Sequence, residues 1–271
     1  MNMAKHARLA VVALLAIGAA AGCAKDDEGG TTEGGVALVK AGALTTCTHL
    51  PYAPFQSKDA SGKVVGFDVA LIDLVAEKLN VTQEIVDTPF EGIKSGADLN
   101  SGKCDVAAAG MTITDERKQV LDFSDPYFDA TQALATQTGK EVKALEELAG
   151  KRLGVQGGTT GEDYIKTQVK EKNLKIEVVS YKDLAALQQA LATNQVVAAV
   201  NDLPVWNEYI KANPGKVVVA AGFDTGEQYG FAVKKGNAEL LKTVNDALAA
   251  ARSDGTYDKI YAEWIGEKPK A

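Results

Sequence analysis

The chain has 271 residues, a formal net charge of −7 and 46% hydrophobic residues. The apolar share suffices for a packed globular core, and the acidic balance, with neither a Lys/Arg cluster nor a nucleic-acid motif, excludes a partner held through phosphate contacts. The surplus of acid is read as solubility outside the cell. The chain opens with Lys5, His6 and Arg8, an apolar run over 9–21, and the tetrapeptide Ala20-Ala21-Gly22-Cys23. The run is shorter than the roughly 20 residues a spanning helix needs, so it reads as an export signal. Small residues just before Cys23 look like a bacterial lipobox. Cleavage before Cys23 and lipidation there are expected, the alternative being a plain secretory signal with an incidental cysteine. Residues 24–35, AKDDEGGTTEGG, carry four acids against one lysine. They read as a flexible tether with a reach of about 20 Å between a membrane and a soluble domain.

From there the pattern alternates strand and helix. A strand over 44–48 precedes a helix over 68–79, where Val69, Ile72, Val75 and Leu79 fall on one face. Then come a strand over 82–86, a helix over 92–100 and a strand over 106–109, a βαβαβ run. A second run begins after 133–137: a short helix over 142–148, a strand over 151–155, a helix after Thr160, a strand over 175–179, a helix over 185–193 and a strand over 196–200. The fold class is therefore α/β with two lobes. Ligands of such sheets bind outside the carboxyl ends of the strands, so two lobes facing each other make a cleft. Gly158 permits close backbone approach, and Thr159 with Glu162 fits a capping box that leaves N–H groups for an anion.

With Cys23 assigned to lipid, Cys47 and Cys104 remain. An exported pair invites a disulfide. Parallel neighbouring strands in register would instead set the two apart by several residues of about 3.3 Å each, beyond bonding reach. The pairing stays open at this level. Cys47 and His49 lack two further ligands nearby, so no metal is expected, and no Walker-type loop is present.

The stretch DVAAAGMTITDERKQVLDFSDPYF at 105–128 carries the most chemistry. A buried strand ends at Gly110, where the backbone can turn. Thr114 suits a helix N-cap with Asp115 and Glu116 complementing the positive helix end. Arg117 would then project from the first turn toward the strand's carboxyl edge, where its fork, the Thr112 hydroxyl and backbone N–H groups could hold a carboxylate. The alternative is an ordinary surface arginine near a helix start.

This segment resembles the signature of the polar amino-acid-binding proteins of ABC importers, the bacterial extracytoplasmic solute-binding family 3. The resemblance runs from about Gly42 to Gly266 through YAPF (52–55), GFDVAL (66–71), GMTITDER (110–117), FSDPYF (123–128), GKRLGVQGGTT (150–160) and DGTYDKIYAEWIG (254–266). Each motif alone is weak, but in this order they are specific. The resemblance implies a two-lobe periplasmic-binding-protein fold of type II. Residues 36–132 and 230–271 would form lobe 1 and 138–226 lobe 2, with two hinge segments near 133–137 and 227–233. It also implies a monomeric receptor that binds an amino acid without a cofactor and hands it to a permease driven by a separate ATPase.

The family likeness assigns Arg117 to the ligand's α-carboxylate, with Thr112 and Thr160 completing the cage. Gly110 would turn its carbonyl to the α-ammonium, and Asp202 would be the acid that meets it. Turn and cap roles are the alternatives for Thr112, Thr160, Gly110 and Asp202. Tyr52 and Phe90 match the aromatic positions that flank the ligand side chain, where a core role is the alternative. His49 departs from the family: many relatives have an acid where this chain reads THLPYAPF. A strongly cationic ligand is therefore disfavoured and a neutral polar one such as glutamine expected, ahead of cystine-like and acidic amino acids. Gln156 and Asn201 could supply amide contacts, and His49 either contacts the ligand or ties a loop. A dehydratase-type enzyme on the same scaffold would need Asp202 or Glu91 as its acid. A ligand sensor would need a separate signalling partner.

Overall fold

The computed structural model describes residues 29–266. The leader, Cys23 and residues 24–28 of the expected tether lie outside the described residues. From residue 29 on, that tether gives way to a hairpin. Gly30–Thr31 (β1) pairs antiparallel with Ala37–Leu38 (β2). The Thr32 hydroxyl accepts from Val36 N at 3.1 Å, and Val36 and Leu38 are buried. A turn threonine and two apolar anchors thus outweigh the polar composition.

Ala43–Thr48 (β3), ALTTCT, is buried at every position, as befits a strand covered on both faces. A small hairpin of Ser57–Lys58 (β4) and Val64–Val65 (β5) follows. Gly66, at φ +142°, then admits the helix Phe67–Lys78 (α1), since a Cβ there would lie 2.2 Å from the Phe55 carbonyl oxygen. After Thr82–Asp87 (β6), the single helix expected over 92–100 is two short ones, Phe90–Lys94 (α2) and Ala97–Asn100 (α3). The break falls at Gly96, at φ +74°, a conformation that costs glycine little and other residues more. The strand expected over 106–109 shortens to Val106–Ala107 (β7). Beyond it, Thr48 Oγ1 donates to the Ala108 carbonyl at 2.6 Å, and Gly110 N donates to Asp68 Oδ2 at 2.8 Å. Side chains take over the partners a ladder would have used.

Asp115–Lys118 (α4) starts as expected, with the Thr114 hydroxyl accepting from Arg117 N. Leu121–Phe123 (β8) leads to the long strand Phe128–Gln137 (β9). The helix expected over 142–148 is only a 3-10 turn, Leu145–Leu148, because just its two leucines face the core and that turn aligns positions i and i+3. The rest alternates: Arg152–Gln156 (β10), Thr160–Glu171 (α5), Glu177–Tyr181 (β11), Leu184–Ala192 (α6), Ala198–Asp202 (β12), Leu203–Ala212 (α7), Val217–Tyr229 (β13), Ala232–Lys234 (β14), Ala238–Ser253 (α8) and Thr256–Trp264 (α9).

Two five-stranded sheets result, β6-β3-β7-β14-β8 and β11-β10-β12-β9-β13. In each, three parallel strands come from a βαβαβ run and two antiparallel strands close one side. The aromatic residues of the sequence motifs build the first core: Tyr127 stacks on Phe231 with centroids 4.1 Å apart, and Phe55 meets Phe128 and Tyr229 edge-on, both at 5.1 Å.

The strand pairing corrects the expected hinge. Residues 133–137 lie inside the second sheet, flanked by β12 on one side and β13 on the other, with Ala133 and Ala135 fully buried. The chain crosses between sheets where 128–130 pair with 227–229. Alanine-rich β9 gave no sign of this, because its apolar pattern suits a crossing strand and a sheet interior equally.

The disulfide forms. Cys47 and Cys104 are bonded with Cα atoms 5.6 Å apart, which overturns the argument from strand register. The register itself is the expected one, Cys47 opposite Ala107, and an extended chain would put Cys104 about 10 Å further along. The chain is not extended there. It bends at Asp105, whose carboxylate takes Val39 N at 2.7 Å, Thr45 N at 2.9 Å and Thr45 Oγ1 at 2.6 Å, and the bend folds Cys104 back over Cys47.

Candidate functional site

Between the two sheets lies a cavity. His49, Tyr52, Phe90, Gly110, Thr112 and Arg117 line it from the first lobe, and Gln156, Thr160 and Asp202 from the second. The residues singled out in the sequence as candidate ligand contacts therefore reach one cavity, Asn201 excepted. The carboxyl ends of β3, β7, β10 and β12 all point at it, which is where open α/β sheets leave free polar ends.

Arg117 is 8% exposed. Its Nη1 donates to the Thr112 carbonyl at 2.7 Å and its Nη2 to the Gly158 carbonyl, across the cleft, at 3.3 Å. The Phe90 ring lies 5.5 Å from Cζ, a cation–π distance. A guanidinium has five N–H groups, so this leaves donors for a ligand. Burial pushes the Arg117 pKa down, opposed by Glu227, Asp163 and Asp202. The Thr112 and Thr160 hydroxyls stand 3.2 Å apart. Thr160 opens α5, with the Thr159 hydroxyl accepting from Glu162 N at 3.2 Å. The reciprocal half of the expected capping box is shifted: Glu162 Oε2 accepts from Gly158 N at 2.7 Å.

At Asp202 Oδ2 the Tyr52 hydroxyl donates at 2.5 Å from across the cleft, and the Tyr229 hydroxyl also donates. Gln132 Nε2 donates to Oδ1. Burial raises the Asp202 carboxyl to about 6, Glu227 adding to the rise while the Tyr229, Tyr52 and Gln132 bonds oppose it. Tyr52 thus bridges the lobes rather than merely flanking a ligand, and its ring fills the space over Gly110, where a Cβ would lie 3.0 Å from a ring carbon. Asp68, buried and likewise raised to about 6 by burial, holds Gly110 N and accepts from the Tyr127 hydroxyl at 2.7 Å. It fixes the Gly110 peptide from behind.

Sequence reasoning missed Gln56 and Ala109 in the lining, and Glu227, Gln132 and Tyr229 behind it. Glu227 Oε2 accepts from Thr160 Oγ1 at 2.7 Å, Thr112 Oγ1 at 2.9 Å and Gln132 Nε2 at 3.3 Å. It reaches them because β13 skips register between Phe223 and Glu227, a bulge that turns at Gly226, at φ +63°. Asn201 stands behind the lining, its Oδ1 2.7 Å from the Tyr52 hydroxyl, where it shares that group's one proton with Asp202, and its Nδ2 donating to Gln156 Oε1 at 3.1 Å. Glu91 is outside: its side chain is 74% exposed and pairs with Lys94 at 3.2 Å. Cys47 is in a disulfide and offers no thiolate to a metal.

Two α/β lobes joined by paired crossing strands, with a polar cleft between them, define a periplasmic-type binding protein of type II. The chain belongs to the bacterial extracellular solute-binding proteins, family 3, whose model matches residues 44–267. A probable histidine-binding protein of Neisseria gonorrhoeae is 34% identical over 273 residues, 99% of this chain and 98% of its own. A glutamine-binding protein of an ABC transporter of Bacillus subtilis is 34% identical over 215 residues, 78% of this chain and 76% of its own. An ancestral arginine-binding protein, solved with arginine and with glutamine, is similar at TM-score 0.78 and 44% identity over 83% of this chain and 99% of its own. The protein is thus an amino-acid-binding component of an ABC transporter, working outside the cytoplasm.

Proposed function

We propose that the protein captures a polar amino acid with a neutral side chain, glutamine first among them, and presents it as a monomer to its permease. The carrying observation is that Arg117 with the Thr112 and Thr160 hydroxyls, and the Asp202 carboxylate, line one cavity from opposing lobes. A zwitterion would set its carboxylate at Arg117, in place of the Glu227 contact to the threonines, and its ammonium at Asp202 and the Gly110 carbonyl. Contacts to both lobes exist only when the lobes are together, and that difference is what closes them. The described structure is closed, held by Tyr52 to Asp202, Arg117 to Gly158 and Thr112 beside Thr160.

In this reading Cys23 carries the lipid that keeps the receptor at the extracytoplasmic face of the cell membrane. Cys23→Ser is expected to release it into the soluble fraction; a variant still sedimenting with membranes refutes the anchor. The receptor itself is tested by a thermal-shift screen of the soluble part against the common amino acids, with calorimetry on each hit. Glutamine is expected to raise Tm, since a ligand that binds only the folded state stabilises it. No shift with any amino acid refutes the reading.

A further inference from the structure

We infer, resting on the receptor reading above, that the cavity selects ligands whose side chain ends in N–H donors and carries no charge. Among the described residues few buried side-chain nitrogens and oxygens lack a hydrogen-bond partner, yet two of them, His49 Nε2 and Gln56 Oε1, are on residues that line the cavity. Their polarity is set by what their other ends do. His49 Nδ1 lies 3.0 Å from the Thr88 carbonyl oxygen. A carbonyl can only accept, so Nδ1 carries the proton and, in the neutral ring, Nε2 presents a bare lone pair. Gln56 is 1% exposed, and its Nε2 donates to the His49 carbonyl at 3.4 Å. That bond leaves its oxygen as the unpartnered end.

The wall therefore offers two acceptors and no counter-charge. Asp202 is the acid in the lining, and the receptor reading gives it to the α-ammonium rather than to the side chain. A primary carboxamide has two N–H groups to give to two acceptors. A carboxylate would set its own lone pairs against theirs, with no proton between, and would lose its water besides. An aliphatic end would leave both acceptors buried and unpaired. Sites built around such polar partners reject the analogue that lacks them far more strongly than apolar pockets sort by size.

The test is calorimetry of the soluble protein at pH 7.5 with the full set of amino acids, using glutamine and glutamate as the near-isosteric pair. The ligands that bind should be drawn from glutamine, asparagine and histidine, with glutamate, lysine and arginine at least about 100-fold weaker than glutamine or undetected. An acidic, cationic or aliphatic amino acid binding as tightly as the best of these overturns the inference and leaves the receptor reading intact. Absence of binding by any amino acid overturns both. Gln56→Met, which keeps the length and removes the acceptor, should lower affinity for the best donor ligand about 10-fold or more while affinity for methionine holds or rises. A general weakening of the fold would lower both together, and an unchanged ratio of the two affinities refutes the role of Gln56.

Discussion

Replacing Cys47 and Cys104 together with alanine removes a cross-link between residues 57 apart in sequence. Closing a loop of that length restricts the unfolded chain by about 4 kcal/mol at 25 °C in the chain-entropy treatment. For a protein of this size each kcal/mol moves Tm by about 2–4 °C, so the variant should melt roughly 8–16 °C lower. Both sulfurs sit in the buried cluster with Ile93, Leu99 and Leu121, so alanine adds a packing loss of the same sign. Calorimetric melting of the parent with and without reductant isolates the cross-link from that loss. Both cysteines belong to the first lobe, so if the lobes melt separately the shift belongs to one transition. A double variant melting within about 2 °C of the parent, when mass spectrometry shows the parent's thiols paired, would refute the reasoning.

Arg117→Ala should weaken ligand binding by about 2–5 kcal/mol, the scale for breaking a desolvated charge pair, and unchanged affinity in calorimetry would remove Arg117 from the site. Affinity should also depend on acid. Without ligand the Asp202 carboxyl titrates at about 6, and the ammonium of a ligand requires it ionised. Affinity is then full above that pH and falls by up to about tenfold per unit as pH drops through it, with a proton released on binding. Titrations at pH 5 in buffers of different ionisation enthalpy measure that proton, and an affinity flat from pH 7 to 5 counts against the pairing. Gly110→Ala should cost both stability and affinity, because it imposes a side chain at φ +54° and puts a Cβ 3.0 Å from the Tyr52 ring. Tyr52→Ala in the same chain should restore part of the stability by opening that space, and no rescue would locate the cost in the backbone alone.

Local chemistry made much of this protein readable from its sequence. The alternation of apolar strands and amphipathic helices specifies two βαβαβ units, since each element needs only its own periodicity to declare which face it buries. Thr114 before Asp115 and Glu116, and Thr159 three residues before Glu162, mark helix starts through hydrogen bonds closed within a few residues. His49, Gly110, Gln156 and Asp202 could be named along the chain through the resemblance of its motifs to the family's, and the fold then brings them to the cleft at the carboxyl ends of strands. Tertiary structure alone decided what depends on distant segments meeting. Asp105 gathers Val39 and Thr45 and so turns Cys104 onto Cys47; the β13 bulge brings Glu227 to Thr112 and Thr160; Asp68 reaches Gly110 from a helix 42 residues earlier. Hydrogen bonds between elements far apart in sequence leave no periodic trace in either partner, because each residue is ordinary in its own segment and acquires its role only where folding brings the two segments together.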